Sequence, residues 1–158
     1  MVEEGQAAPD FELPTDDHSL VRLSSLKGTR VILYFYPRDD TPGCTTQACA
    51  LRDAEADIDA RDAVVVGVSP DPAETHAAFR SKHDLPFVLL ADVDHAVAEL
   101  YGVWREKNMY GRKFMGIHRS TFVIDTDGTV IKTLYGVRPK QHLDRVLSVL
   151  DTNDTKVD

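Results

Sequence analysis

Cysteine is scarce in this chain: Cys44 and Cys49 are the only two among 158 residues. Two thiols cannot build the multi-disulfide framework of a small secreted scaffold, nor supply the four ligands of an all-cysteine zinc site. Long hydrophobic runs are missing as well. The longest apolar stretches, 31–36, 63–68 and 87–91, are strand-sized. A membrane-spanning helix needs roughly 18 apolar residues, so no membrane association is expected. Positive charge is in deficit, with 18 Lys and Arg against 26 Asp and Glu and a net charge of −8. Such a surface repels phosphate backbones, and no basic stripe interleaved with aromatics offsets it, so nucleic acid is not an expected partner. The start, Met1-Val2-Glu3-Glu4, is acidic with no apolar segment behind it. That argues against a secretory leader and for a cytoplasmic location.

What is present reads as one α/β domain. Segments 11–13 and 20–23 flank a polar turn and suggest a short hairpin. The run 31–36 is apolar on both faces and ends at Pro37, as a central buried strand does. From Pro42 to about Arg61 the spacing of Ala48, Leu51, Ala54 and Ile58 predicts one helix. A second strand follows at 64–68. Asp71-Pro72-Ala73-Glu74 then reads as an N-cap, a first-turn proline and a reciprocal carboxylate, opening a helix to about His83. A third strand covers 87–91 and a short helix 96–101. Asp127-Gly128 joins strands 119–125 and 129–135 in a hairpin, and Leu143, Val146, Leu147 and Leu150 stripe a last helix. The expectation is a single domain over 1–151 with a central mixed sheet flanked by helices, then a frayed polar tail over 152–158.

Phosphate-loop, dinucleotide and His-Glu-x-x-His signatures are all absent. The six histidines are scattered singly, which reads as surface histidine. Chemistry concentrates in Pro37-Arg38-Asp39-Asp40-Thr41-Pro42-Gly43-Cys44-Thr45-Thr46-Gln47-Ala48-Cys49, between the end of a buried strand and the start of a helix. In α/β sheets ligand sites gather there. Cys44 falls in the first helical turn, where free N–H groups and the helix dipole favour an anion such as a thiolate. Thr41 reads either as an N-cap or as a hydroxyl aimed at the sulfur. Cys49 follows five residues on. On an intact helix the two Cα atoms are roughly 8 to 9 Å apart, by rise and rotation per residue. A disulfide needs at most about 6.8 Å. Cys49 is therefore either an ordinary buried small residue or a partner reached only when the helix unwinds.

At these residues the chain resembles the peroxiredoxins, and among them the bacterioferritin comigratory protein (peroxiredoxin Q) subfamily. Pro37, Thr41 and Cys44 match the Pro-x-x-x-Thr-x-x-Cys motif, and 109–125, ending in His118-Arg119-Ser120-Thr121-Phe122-Val123-Ile124-Asp125, matches the segment with the family's distal arginine at Arg119. The resemblance implies a thioredoxin-like fold and reduction of hydrogen peroxide and organic hydroperoxides. It makes Cys44 the peroxidatic cysteine and Cys49 the resolving one, forming an intramolecular disulfide reopened by a thioredoxin-like donor. Thr41, Arg119 and the Gly43 and Cys44 N–H groups would line the peroxide, Pro37 would shield the sulfur, and Gln47 would support the arginine. No metal or organic cofactor is implied, and a monomer or weak dimer is expected. Asp39 and Asp40 read as solvated loop residues. The competing reading is a thioredoxin-like dithiol reductase or redox-regulated binding module, whose cysteines are generally spaced Cys-x-x-Cys. A weaker one is a zinc module built from Cys44, Cys49 and histidines.

Overall fold

The N-terminal alternation of apolar and polar residues folds as a short hairpin, β1 (Glu12–Pro14) pairing antiparallel with β2 (Leu20–Arg22). The computed structural model describes residues 2–154. A single 3₁₀ turn at Leu23–Leu26 leads into β3 (Arg30–Phe35), every residue of which is buried. An element buried on both faces must lie inside a covered sheet, and β3 does. It pairs parallel with β4 (Ala63–Ser69), which pairs parallel with β5 (Val88–Ala91). On its other side it pairs antiparallel with β8 (Ser120–Ile124), and β8 antiparallel with β9 (Val130–Tyr135). The order β5-β4-β3-β8-β9 is the expected mixed sheet.

Strand periodicity divides the core. Ile32, Tyr34 and Tyr36 face one side and pack with Cys44, Ala48 and Leu51 of α1 (Pro42–Asp53), Ile58 of α2 (Glu55–Asp59), Phe79 of α3 (Ala73–His83) and Val146 and Leu150 of α5 (Pro139–Asp154). Val31, Leu33 and Phe35 face the other side with Phe11, Leu13, Phe122 and Val97 of α4 (Ala96–Leu100). The sheet thus presents the carboxyl end of β3, and the start of α1, between α3 and α5.

Several expectations change. The helix over 42–61 is two helices, broken at Ala54. Pro72, not Asp71, occupies the N-cap of α3, because the Asp71 carboxylate turns back to accept the Asp39 N–H at 2.6 Å and the Ser69 hydroxyl at 3.2 Å. A hairpin of β6 (Trp104–Met109) and β7 (Arg112–Ile117) fills a stretch with no predicted element. Most of its residues are exposed, so it carries no strong apolar alternation; its sign is Tyr110-Gly111, both at positive φ. Finally, α5 runs past 151 to Asp154, three residues beyond the expected end, with the Thr152 hydroxyl donating to the Ser148 carbonyl at 2.8 Å. Residues 155–158 lie outside those described.

Gly67 sits opposite Tyr34 in the centre of the sheet. A Cβ there would stand 2.9 Å from Leu89 Cδ2 and 3.0 Å from the Tyr34 ring. Both neighbours are fully packed, so Gly67→Ala is expected to cost about 1–3 kcal/mol of stability, as overpacking does. Urea denaturation measures it; an unchanged midpoint would contradict this account of the packing.

Candidate active site

The chain leaves β3, turns through 36–41 and enters α1 with Pro42 at the first helical position. The first backbone bond of the helix runs from the Thr45 N–H to the Thr41 carbonyl, at 2.8 Å. The N–H groups of Gly43 and Cys44 precede it and have no helical acceptor, as at any helix start. Cys44 is the third helical residue, and its side chain is buried. Arg119, the residue before β8, reaches across to it. One guanidinium nitrogen, Nη2, donates to Cys44 Sγ at 3.4 Å, and the other, Nη1, to Gln47 Oε1 at 2.6 Å. The Arg119 backbone is itself pinned, its carbonyl accepting the Gly136 and Val137 N–H groups at 2.9 and 3.2 Å.

Gly43 leaves room for this approach. A Cβ on it would lie 3.2 Å from Arg119 Nη2 and 3.4 Å from Pro139 Cγ. Helix start and guanidinium therefore bring two sources of positive potential to one sulfur. That arrangement suits an attacking thiolate and the negative charge that develops on a leaving oxygen. Both cysteines are free thiols, and the helix carrying them is wound throughout.

Residues 4–133 match the AhpC/TSA family. Peroxiredoxin Bcp of Bacillus subtilis is 49% identical over 149 residues, covering 94% of this chain and 95% of that one. Peroxiredoxin Bcp of Escherichia coli is 43% identical over 146 residues, covering 92% and 94%. The chain belongs to the AhpC/TSA family of peroxiredoxins. A cysteine-to-serine variant of PrxQ from Xylella fastidiosa superposes with a TM-score of 0.92 at 28% identity, covering 98% of both chains. The Xanthomonas campestris bacterioferritin comigratory protein, studied for alkyl peroxide reduction, superposes at 0.86 with 34% identity, covering 90% of this chain and 91% of that one. The fold is accordingly thioredoxin-like and the protein a thiol peroxidase, an oxidoreductase that takes a peroxide and a thiol reductant.

In this peroxiredoxin Cys44, Gly43, Gln47 and Arg119 meet as the sequence predicts. Thr41 does not make either predicted bond. It occupies the N-cap position, but its hydroxyl donates to the Arg38 carbonyl at 3.1 Å, neither capping the helix nor touching the sulfur. Pro37 is half-buried at the mouth of the loop. Cys49 stands away from Cys44, with Sγ 3.8 Å from His83 Nδ1. Among the described residues no three His, Cys, Asp or Glu side chains gather as metal ligands, which leaves the zinc reading without a site.

Sequence reasoning missed a buried polar support under the loop. Asp39 is not solvated: its carboxylate accepts the Tyr36 hydroxyl at 2.6 Å and lies 2.6 Å from His76 Nδ1, while His76 Nε2 donates to the Leu90 carbonyl at 3.0 Å. His76 and His142 are both buried rather than on the surface. The usable signal for His76 is its spacing, three residues before Phe79 on the core face of α3. His142 lies beside Tyr34, its Nε2 hydrogen-bonded to the Thr121 hydroxyl at 2.7 Å.

Burial, reinforced by the Arg119 charge, pushes His142 down to about 3 from its ordinary 6.5. A value lowered by folding means that the unfolded chain takes the proton first as pH falls. The contribution of His142 is therefore complete above about pH 6.5 and is lost as pH falls towards 3. Urea midpoints measured at pH 7 and pH 4 should fall less in His142→Gln than in the parent. An equal fall in both would remove His142 as a source of acid lability.

Proposed function

We propose that the chain is a cytoplasmic thiol peroxidase for hydrogen peroxide and organic hydroperoxides, with Cys44 as the peroxidatic and Cys49 as the resolving thiol, recycled by a thioredoxin-like donor. The observation that carries this reading is the 3.4 Å bond from Arg119 to a buried sulfur at a helix start. The Cys44 thiolate attacks one peroxide oxygen, the O–O bond breaks, and the sulfur becomes sulfenic acid as water or alcohol leaves with a proton from solvent. The Gly43 and Cys44 N–H groups and the Arg119 guanidinium donate to the peroxide oxygens as charge develops. Gln47 holds the guanidinium in plane, and Pro37 keeps bulk water from the sulfur. Thr41 takes part once its hydroxyl leaves the Arg38 carbonyl for the substrate.

Cys49 then attacks the sulfenic sulfur, and an S–S bond replaces S–O as water departs. The two Cα atoms stand roughly 8 to 9 Å apart on a wound helix, beyond the reach of a disulfide, so the start of α1 unwinds for this step. A dithiol donor reopens the bond by exchange. The acidic surface, with a net charge of −8, favours small neutral substrates over nucleic acid. The chain acts as one catalytic domain that takes in α5 to Asp154, as a monomer or weak dimer.

Cys44→Ser is expected to abolish peroxide turnover. Arg119→Met should lower kcat/KM about 10²- to 10³-fold, the usual loss for one transition-state donor. Cys49→Ser should consume one equivalent of peroxide and then fail to recycle with thioredoxin. Protein mass after one equivalent of peroxide distinguishes disulfide, sulfenic acid and thiol. Wild-type turnover in Cys44→Ser, or insulin reduction without peroxide consumption, would overturn the assignment in favour of a dithiol reductase.

A further inference from the structure

Cys49 is one member of a chain of three polar side chains drawn from three elements. Its Sγ lies 3.8 Å from His83 Nδ1, at the end of α3. The other nitrogen of that ring, Nε2, lies 3.2 Å from Asp40 Oδ1, in the loop before α1. A carboxylate can only accept, so Nε2 carries the hydrogen, and in the neutral ring the Nδ1 lone pair faces the thiol. Asp40 is held in its ionised form, its carboxyl lowered by hydrogen bonds from Lys82, at 2.7 Å to the other oxygen, and from His83.

The imidazole is fixed from several directions. It stands edge-on to the Phe79 ring, at 5.3 Å and 77°, and its backbone carbonyl accepts Arg52 Nη1 at 2.8 Å. The charged groups around it are Asp40 from the loop, Arg52 paired with Asp53 from α1, and Lys82 and Asp84 on either side in its own stretch of chain. Its side chain is 18% exposed, which leaves a route for a proton to solvent.

We propose that His83 is the general base of the resolving step and Asp40 its positioning residue. The proposal rests on the reading of Cys49 as the resolving thiol. His83 Nδ1 takes the Cys49 thiol proton, and the Cys49 sulfur attacks the sulfenic sulfur of Cys44. The S–S bond forms as the S–O bond breaks, and the departing hydroxide takes the proton back from Nδ1 and leaves as water. Two thiol-level sulfurs give up two electrons in all to the peroxide, and His83 ends neutral. Because His83 belongs to α3, it remains in place while the start of α1 unwinds.

Rapid mixing with one equivalent of hydrogen peroxide, followed by acid quench and mass measurement, separates sulfenic acid formation from disulfide formation. His83→Gln should slow the second phase at least about tenfold at pH 7, a modest share of what general bases supply. The slowing should deepen as pH falls below about 8.5, where an unassisted thiol loses its thiolate. Added imidazole should restore part of the rate in His83→Ala, and Asp40→Asn should give a smaller loss with the same pH dependence. An unchanged second phase in His83→Gln overturns the proposal. So does a slowing that is equal at every pH and indifferent to imidazole, which is the mark of a packing role. Wild-type protein that consumes peroxide without joining Cys44 to Cys49 would instead overturn the underlying reading, and the relay with it.

Discussion

The peroxide site depends on α1 being wound through Cys44, because only a formed first turn leaves the Gly43 and Cys44 N–H groups free and brings the sulfur under Arg119. The same winding keeps Cys49 away, since five residues of helix separate the Cα atoms by more than a disulfide can span. On the proposed assignment of Cys49 as the resolving thiol, one helix has to be intact for the first chemical step and open for the second.

The loop that feeds α1 is tied down at both aspartates. Asp39 is fixed by the Tyr36 hydroxyl, by His76 and, through its own N–H, by Asp71. Its side chain is 5% exposed, and that of His76 is fully buried. For a hydrogen-bonded pair so far from water, removing one partner leaves the other buried and unsatisfied, which costs more than the bond itself contributes. Such a pair is better suited to setting a geometry than to stabilising the fold. Asp40, 44% exposed, is tied instead to Lys82 and His83, and screening makes that contact correspondingly easier to break. The inner tie anchors the end of β3 to α3, while the outer one joins the loop just before α1 to the end of α3.

Much of this was legible in the residues, and what was not has a physical reason. Continuous apolar runs located β3, β4 and β5, since burial on both faces leaves no polar period to confuse. Cys44 was placed at a helix start by Pro42 and Gly43 after a buried strand and by the apolar spacing of Ala48, Leu51, Ala54 and Ile58 beyond it. The β6–β7 hairpin was invisible because a ribbon with most of its residues in solvent needs no apolar pattern. His76 and Asp39 were misread for a different reason: each is polar by type, and only their mutual contact across 37 residues makes burial tolerable. Thr41 shows the same limit at short range. Its type fits a cap, but a nearby carbonyl competes for the hydroxyl.

The division between α1 and α3 also bears on why a histidine, and not a second charged group on α1, faces Cys49. A base carried on the unwinding helix would move with the thiol and lose its orientation when the turn opened. On α3 the imidazole packs edge-on to Phe79, and the His83 backbone carbonyl accepts from Arg52 near the far end of α1. Asp40, in the loop before α1, lies 3.2 Å from Nε2 and leaves the hydrogen there, so the proposed base keeps its Nδ1 lone pair towards Cys49 while α1 is wound.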